Sequence, residues 1–120
     1  MNEDGSVSVV VAAAVGMALI VTMGATDVGR AAIARARAEA VADMVALAAA
    51  QELALPTGTE PAAVAEMFAA RNGARLVSCV CGQGSADAVV RVAVATGPFL
   101  LPLAERDVFA DARAVVDRPA

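Results

Sequence analysis

The sequence predicts an α+β chain in which a long N-terminal helix is followed by a short helix and a small three-stranded antiparallel sheet. Three observations predict it. An uncharged apolar run from Ser6 to Thr26 continues into Ala-dominated sequence that reaches Leu53 without a Pro. Pro61 and Gly73 then punctuate a shorter helical pattern, with Pro in the first turn and Gly just past the end. Beyond it, apolar residues recur at every second position, the period of a strand with one buried face.

The first element reads SVSVVVAAAVGMALIVTMGAT over residues 6–26. A helix rises ~1.5 Å per residue and the hydrocarbon core of a bilayer is ~30 Å thick, so about 20 apolar residues cross it. The run predicts a transmembrane helix over 6–27 behind a short leader at 1–5. A cleaved secretory signal fits poorly, because Met1-Asn2-Glu3-Asp4-Gly5 carries no Lys or Arg and the stretch exceeds the usual ~7–15 residues. Ser8, Ala12 and Gly16 fall four apart and make a stripe of small side chains where a second helix can approach closely. Ala-rich sequence also yields such spacings by composition alone.

Gly24 and Gly29 each weaken a helix by ~1 kcal/mol relative to Ala, yet nothing between Arg30 and Leu53 breaks it. The span therefore continues as an extramembrane helix over 28–54, and Ser6 to Leu53 would measure ~70 Å. Along this outer half Ala34, Ala38, Val41, Val45 and Ala48 follow a 4-3-4-3 spacing. Ile33, Ala40, Met44 and Leu47 broaden the apolar side, while Arg35, Glu39 and Asp43 line the other. Such a helix packs against a neighbour. Arg30 and Arg37 fall within the apolar sector, where their stems can snorkel to its edge or Arg37 can meet a carboxylate of a neighbouring subunit.

Residues 55–120 predict a small α+β domain. Ala54 to Thr59, with Pro56 and Gly58, breaks the helix. Residues 61–71 form a second one with Val64, Met67 and Phe68 on its apolar side. Arg75 to Cys81 and Asp87 to Thr96 read as strands joined by a turn at Gly82-Gln83-Gly84-Ser85, with Ala88, Val90, Val92 and Val94 alternating against Arg91. Pro98 and Pro102 bracket a loop. Val108 to Val116 alternates again, with Asp111 and Arg113 opposite Ala110, Ala112 and Ala114. Asp107, Asp111 and Asp117 read as strand and loop charges beside Arg106, Arg113 and Arg118. Cys79 and Cys81 project from one strand face together with Val77. Their Cα atoms in an extended strand would lie ~6.5–7 Å apart, at the upper limit for a disulfide. Buried thiols, a bridge between subunits and a local bridge all remain open.

Composition excludes several functions. The net charge is −4, every cation is Arg and His is absent. Nucleic-acid binding, which draws most of its affinity from phosphate neutralisation, has no basic patch to use. The hydrophobic 59% is mainly Ala and Val, so a core of ~65 residues is marginal unless a disulfide, a membrane anchor or neighbours support it. Without His a Ser- or Cys-based triad lacks its base, and Gly82-x-Gly84-Ser85 lacks the third Gly and the helix of a dinucleotide loop. Two Cys fall short of the four ligands of structural zinc. We therefore expect no enzyme, no catalytic residue, no metal or cofactor, and no small-molecule substrate.

The start Glu3-Asp4-Gly5-Ser6 running into the apolar helix, the stretch ARARAEAVADMVALAAA at 34–50, NGARLVSC at 72–79 and the Val-rich last strand together resemble the TadE/TadG-like proteins of Flp-type (tight adherence) pilus assembly, in their short actinobacterial form. The resemblance implies a minor pilin or pseudopilin, a membrane-anchored component of a pilus or secretion assembly that acts structurally through helix packing. It implies a pilin-like helix trimmed by a prepilin peptidase after a Gly, so that Gly5 precedes the cleaved bond and Ser6 becomes the new N-terminus. Two departures favour an accessory or uncleaved role: Val10 stands where pilins usually carry Glu, and the leader is acidic. Expected partners are membrane lipid, other pilin-like or secretion-system subunits, and further copies of the chain. The family places the C-terminal domain outside the cell membrane. The positive-inside rule, applied to Arg30, Arg35 and Arg37, places it in the cytoplasm. We expect the outside, since those Arg residues have acidic partners on their own helix. The alternative is a single-span adaptor whose small domain recognises a partner protein.

Overall fold

The computed structural model describes residues 3–97, 100 and 107–117. Its elements are α1 (Glu3–Ala54), α2 (Pro61–Arg71), β1 (Arg75–Val80), β2 (Asp87–Ala95) and β3 (Asp107–Val115). The strands form one antiparallel sheet in the order β1-β2-β3, so the α+β class read from the sequence holds. The molecule measures 89 × 23 × 16 Å because α1 runs 52 residues without a break. It begins at Glu3, so Gly5 and Ser6 lie within its first turns. Pro98 and Pro102, expected to bracket a loop, and Arg106 and Arg118, expected as partners of the neighbouring Asp residues, lie outside the described residues.

The sheet and α2 cover only the outer half of α1. Ala38, Val41, Ala42, Val45 and Ala49 meet Ala65 and Ala69 of α2 and Ala88, Val90, Val92 and Val94 of β2 in one buried cluster. Side chains this small let the three layers approach closely, and each buried methyl or methylene adds ~0.8 kcal/mol. The alternation expected of β2 and β3 is present, with Val90 and Val92 buried and Arg91 exposed, and with Ala110 buried between exposed Phe109 and Asp111.

Turn chemistry fixes the connections. Pro61 sits in the first turn of α2 behind Glu60, which gives no side-chain cap. At the other end Gly73 adopts φ +68° and its N–H donates to the Ala70 carbonyl at 3.1 Å, while Ala74 N–H reaches the Ala69 carbonyl at 2.9 Å. Those bonds satisfy helix carbonyls that would otherwise be orphaned. In the β1–β2 turn Ser85 N–H donates to the Gly82 carbonyl at 3.0 Å.

Two expectations about β1 are corrected. The register slips between Leu76 and Ser78, so that two residues of β1 oppose one of β2. This bulge turns Val77 outward and brings Leu76 and Cys79, three apart, onto the core side opposite Val92 and Val90. β1 also ends at Val80, one residue short of Cys81. The chain bends there instead of staying extended, and the Cα atoms of Cys79 and Cys81 come within 5.4 Å and are bridged as a disulfide.

Candidate assembly surface on the long helix

The seam Ala38, Val41, Val45 and Ala48, expected to face a neighbouring subunit, is buried against the chain's own sheet and α2, and Ala34 is half-buried at its lower end. It is the spine of the domain. Ile33, Ala40, Met44 and Leu47 do not widen this seam. They stay uncovered, with Ile33 72%, Met44 44% and Leu47 56% exposed. The footprint of so small a domain covers about half the circumference of α1 and leaves the other half bare.

Below the domain, no described residue packs over the helix from Gly5 to Met23. Ser8 and Ala12 are exposed and Gly16 is half-exposed; the branched side chains Val9, Val11 and Ile20 beside them are exposed too. Thr22 and Thr26 donate their hydroxyls back to the carbonyls of Ala18 and Thr22, at 2.8 and 2.9 Å. Neither therefore presents an unsatisfied donor to an apolar medium. The helix is long and apolar enough to cross a membrane.

Just past the span, Asp27 is only 4% exposed and accepts the Leu100 N–H at 2.9 Å. In the sequence this residue marks only the end of the apolar run. A lone carboxylate closing an uncharged run was the available signal, because a charge beside a membrane span needs a partner. Arg37 donates to the Asn72 carbonyl at 3.2 Å. A Cβ at Gly73 would sit 2.9 Å from the Arg37 Nη2 atom, so the turn after α2 makes room for this side chain. Arg35 pairs with Glu39 at 3.0 Å on the helix flank.

At the far end of α1, Glu52 is another buried carboxylate, 8% exposed. Its oxygens accept Thr57 N–H at 2.6 Å, the Thr57 hydroxyl and Thr59 N–H. These donors hold its pKa below the ordinary carboxylate value and offset the unfavourable placement of an anion at a helix C-terminus. The outer face of the sheet is a set of cross-strand ion pairs, Arg75–Asp107 at 3.4 Å, Arg91–Asp111 at 2.8 Å and Arg113–Asp87 at 2.6 Å. Their partners lie across strands rather than along the chain, which corrects the pairing expected between Asp111 and Arg113. Among the described residues no group of three or more His, Cys, Asp or Glu converges on one point.

The family model for Tad, the TadE/G-like proteins of Flp pilus assembly, matches residues 5–52. The match takes in 48 of the chain's 120 residues, and over that stretch the chain is similar to the TadE/G-like Flp pilus-assembly proteins. The matched span coincides with α1, from the membrane-length run to the last turn, and leaves the sheet domain outside it. No curated protein and no solved structure matches the chain. The TadE/G-like family is one of assembly components, and a single long apolar helix is consistent with a single-pass membrane protein of a pilus system.

Proposed function

We propose that the chain is a membrane-anchored minor pilin or pseudopilin-like component of a Flp-type pilus or secretion assembly, without enzymatic activity, that works by packing its long helix against other subunits. The observation that carries this reading is the coincidence of the TadE/G-like match with an unbroken helix whose apolar run up to Met23 is left uncovered by the described residues. In this reading the domain lies outside the cell membrane, which the Cys79–Cys81 bridge favours, because structural disulfides persist in oxidising compartments.

Intact mass of the chain extracted from membranes under thiol-blocking, non-reducing conditions tests both points. Loss of Met1 through Gly5 together with unblocked, bridged cysteines is the expected result. An unprocessed N-terminus with both thiols alkylated would instead support an uncleaved anchor and a cytoplasmic domain. One observation favours a second reading, the single-span adaptor: the sheet domain falls outside the matched span. Reversing the charges of Arg91 and Arg113 on the sheet's outer face should leave a pseudopilin's co-isolation with pilus subunits intact and abolish an adaptor's.

A further inference from the structure

Where the sheet meets α1 just above the membrane span lies a cavity of about 320 Å³, lined by Arg30, Ile33, Ala34 and Arg37 of α1 and by the end of β2 with Gly97. Its size falls in the ~300–1,000 Å³ range of small-ligand pockets. Arg30 and Arg37 are seven residues apart, so two turns of the helix return them to one side, with Ile33 and Ala34 between them. The described lining contains no Asp or Glu. Asp27, one turn below Arg30, is engaged by the Leu100 N–H at 2.9 Å. The cavity therefore offers two positive charges on apolar walls.

Its height above the span decides what it can meet. The uncharged run over residues 6–26 is about 32 Å long as helix, so a ~30 Å hydrocarbon core uses all of it and ends beside Asp27. Arg30 then stands ~4.5 Å beyond that edge and Arg37 ~15 Å beyond it. Headgroups add roughly 5–8 Å on each side of a bilayer, so the cavity opens at the level of the lipid phosphates. A guanidinium matches phosphate oxygens with a fork of N–H groups. It has five such donors, so a bond within the chain leaves others for a ligand. Arg37 spends one on the Asn72 carbonyl at 3.2 Å, where Gly73 has no Cβ to displace it, and its head is thereby held at the upper rim. The apolar walls suit the glycerol and first methylenes of a lipid, which gain by leaving water. A hydrated inorganic ion gains nothing from them.

We propose that this cavity seats the phosphate of an anionic phospholipid, held by Arg30 and Arg37. The proposal rests on the reading of the chain as a membrane-spanning component and gives that membrane contact a lipid preference. The test is electron paramagnetic resonance of spin-labelled phosphatidylglycerol and phosphatidylcholine in vesicles holding the full-length chain, read as the fraction of each lipid that is motionally restricted. Phosphatidylglycerol should be preferred about fivefold or more, the scale set by one basic side chain at an anionic surface. Arg30→Gln with Arg37→Gln should abolish the preference. Ala34→Leu, which fills the cavity and keeps both charges, should abolish it too, whereas diffuse attraction to the two cations would survive that change. Arg35→Gln, on the flank beside Glu39, should leave it intact. Circular dichroism and melting of each variant check that the fold survives, and Arg30→Gln alone, which keeps the Arg37 bond to the turn, should still weaken the preference. Equal restriction of both lipids, a preference that persists in Ala34→Leu, or release of phosphatidylglycerol by millimolar inorganic phosphate would overturn the lipid site. A chain that restricts neither lipid would sink the membrane-spanning reading as well. Co-isolation with pilus subunits from cells reads the broader function separately, and a chain that co-isolates without a lipid preference sinks this site alone.

Discussion

Val45 and Leu47 stand two residues apart on one helix and live in different media. Val45 is fully buried under the sheet, and Leu47 is 56% exposed on the opposite flank. The contrast extends along α1. Its covered side is built from Ala and Val because the layers above it lie close, and its uncovered side carries Ile, Met and Leu that the domain does not reach. Composition alone does not separate the two. What separates them is the width of a domain made from one short helix and three strands.

The strongest way to break this comparison is to put the same charge on each side. Val45→Glu places a carboxylate among apolar side chains with no partner and should cost about 4 kcal/mol or more, unfolding the domain in a thermal melt. Ile33→Glu should move the melt of the monomer by no more than ~0.5 kcal/mol, as for an exposed site. Equal losses at both would mean that the domain's footprint is wrong. The closeness of the covered layers sets the next effect. Ala65→Leu, where α2 meets α1, should destabilise by about 1–3 kcal/mol through overpacking, measured by chemical denaturation.

Gly73→Ala tests the turn that seats Arg37. A left-handed φ of +68° costs a residue with a Cβ about 1–2 kcal/mol, and the new methyl would also displace the Arg37 guanidinium. The smallest effect belongs to Glu52. Its folded pKa lies below the ordinary 4.5, so it binds a proton less readily folded than unfolded. Its contribution to stability is therefore complete above about pH 4.5 and lost as the pH falls through the folded value. Melting temperature measured downward from neutral pH should decline in that acid window. Glu52→Gln should lower it at neutral pH and flatten the decline.

The elements were legible because each carries its own period. β2 alternates so cleanly around Arg91 that its buried face could be read directly, and Pro61 and Gly73 bracket α2 as their backbone chemistry requires. The bulge at Val77 was not legible, since nothing in RLVSCV marks where one residue slips out of register, and that slip decided which side chains accompany Cys79. The disulfide stayed open because its geometry depends on where the strand ends. On α1 the sequence showed two apolar stripes as one broad sector. A helical wheel does not contain how far a domain reaches around it, so it does not distinguish the seam through Val45 from an outward surface. Ion pairs across the sheet followed from register, which the charges alone did not contain.

One consequence of the unbroken α1 is mechanical. With no hinge between the span and the outer helix, the rod transmits any lean in the bilayer to its tip. Membrane helices tilt by about 20° on average, and over the ~57 Å from mid-membrane to Ala54 that lean carries the sheet sideways by roughly 20 Å. Local bilayer thickness, by setting the lean, would thereby steer where the domain hovers above the lipid surface.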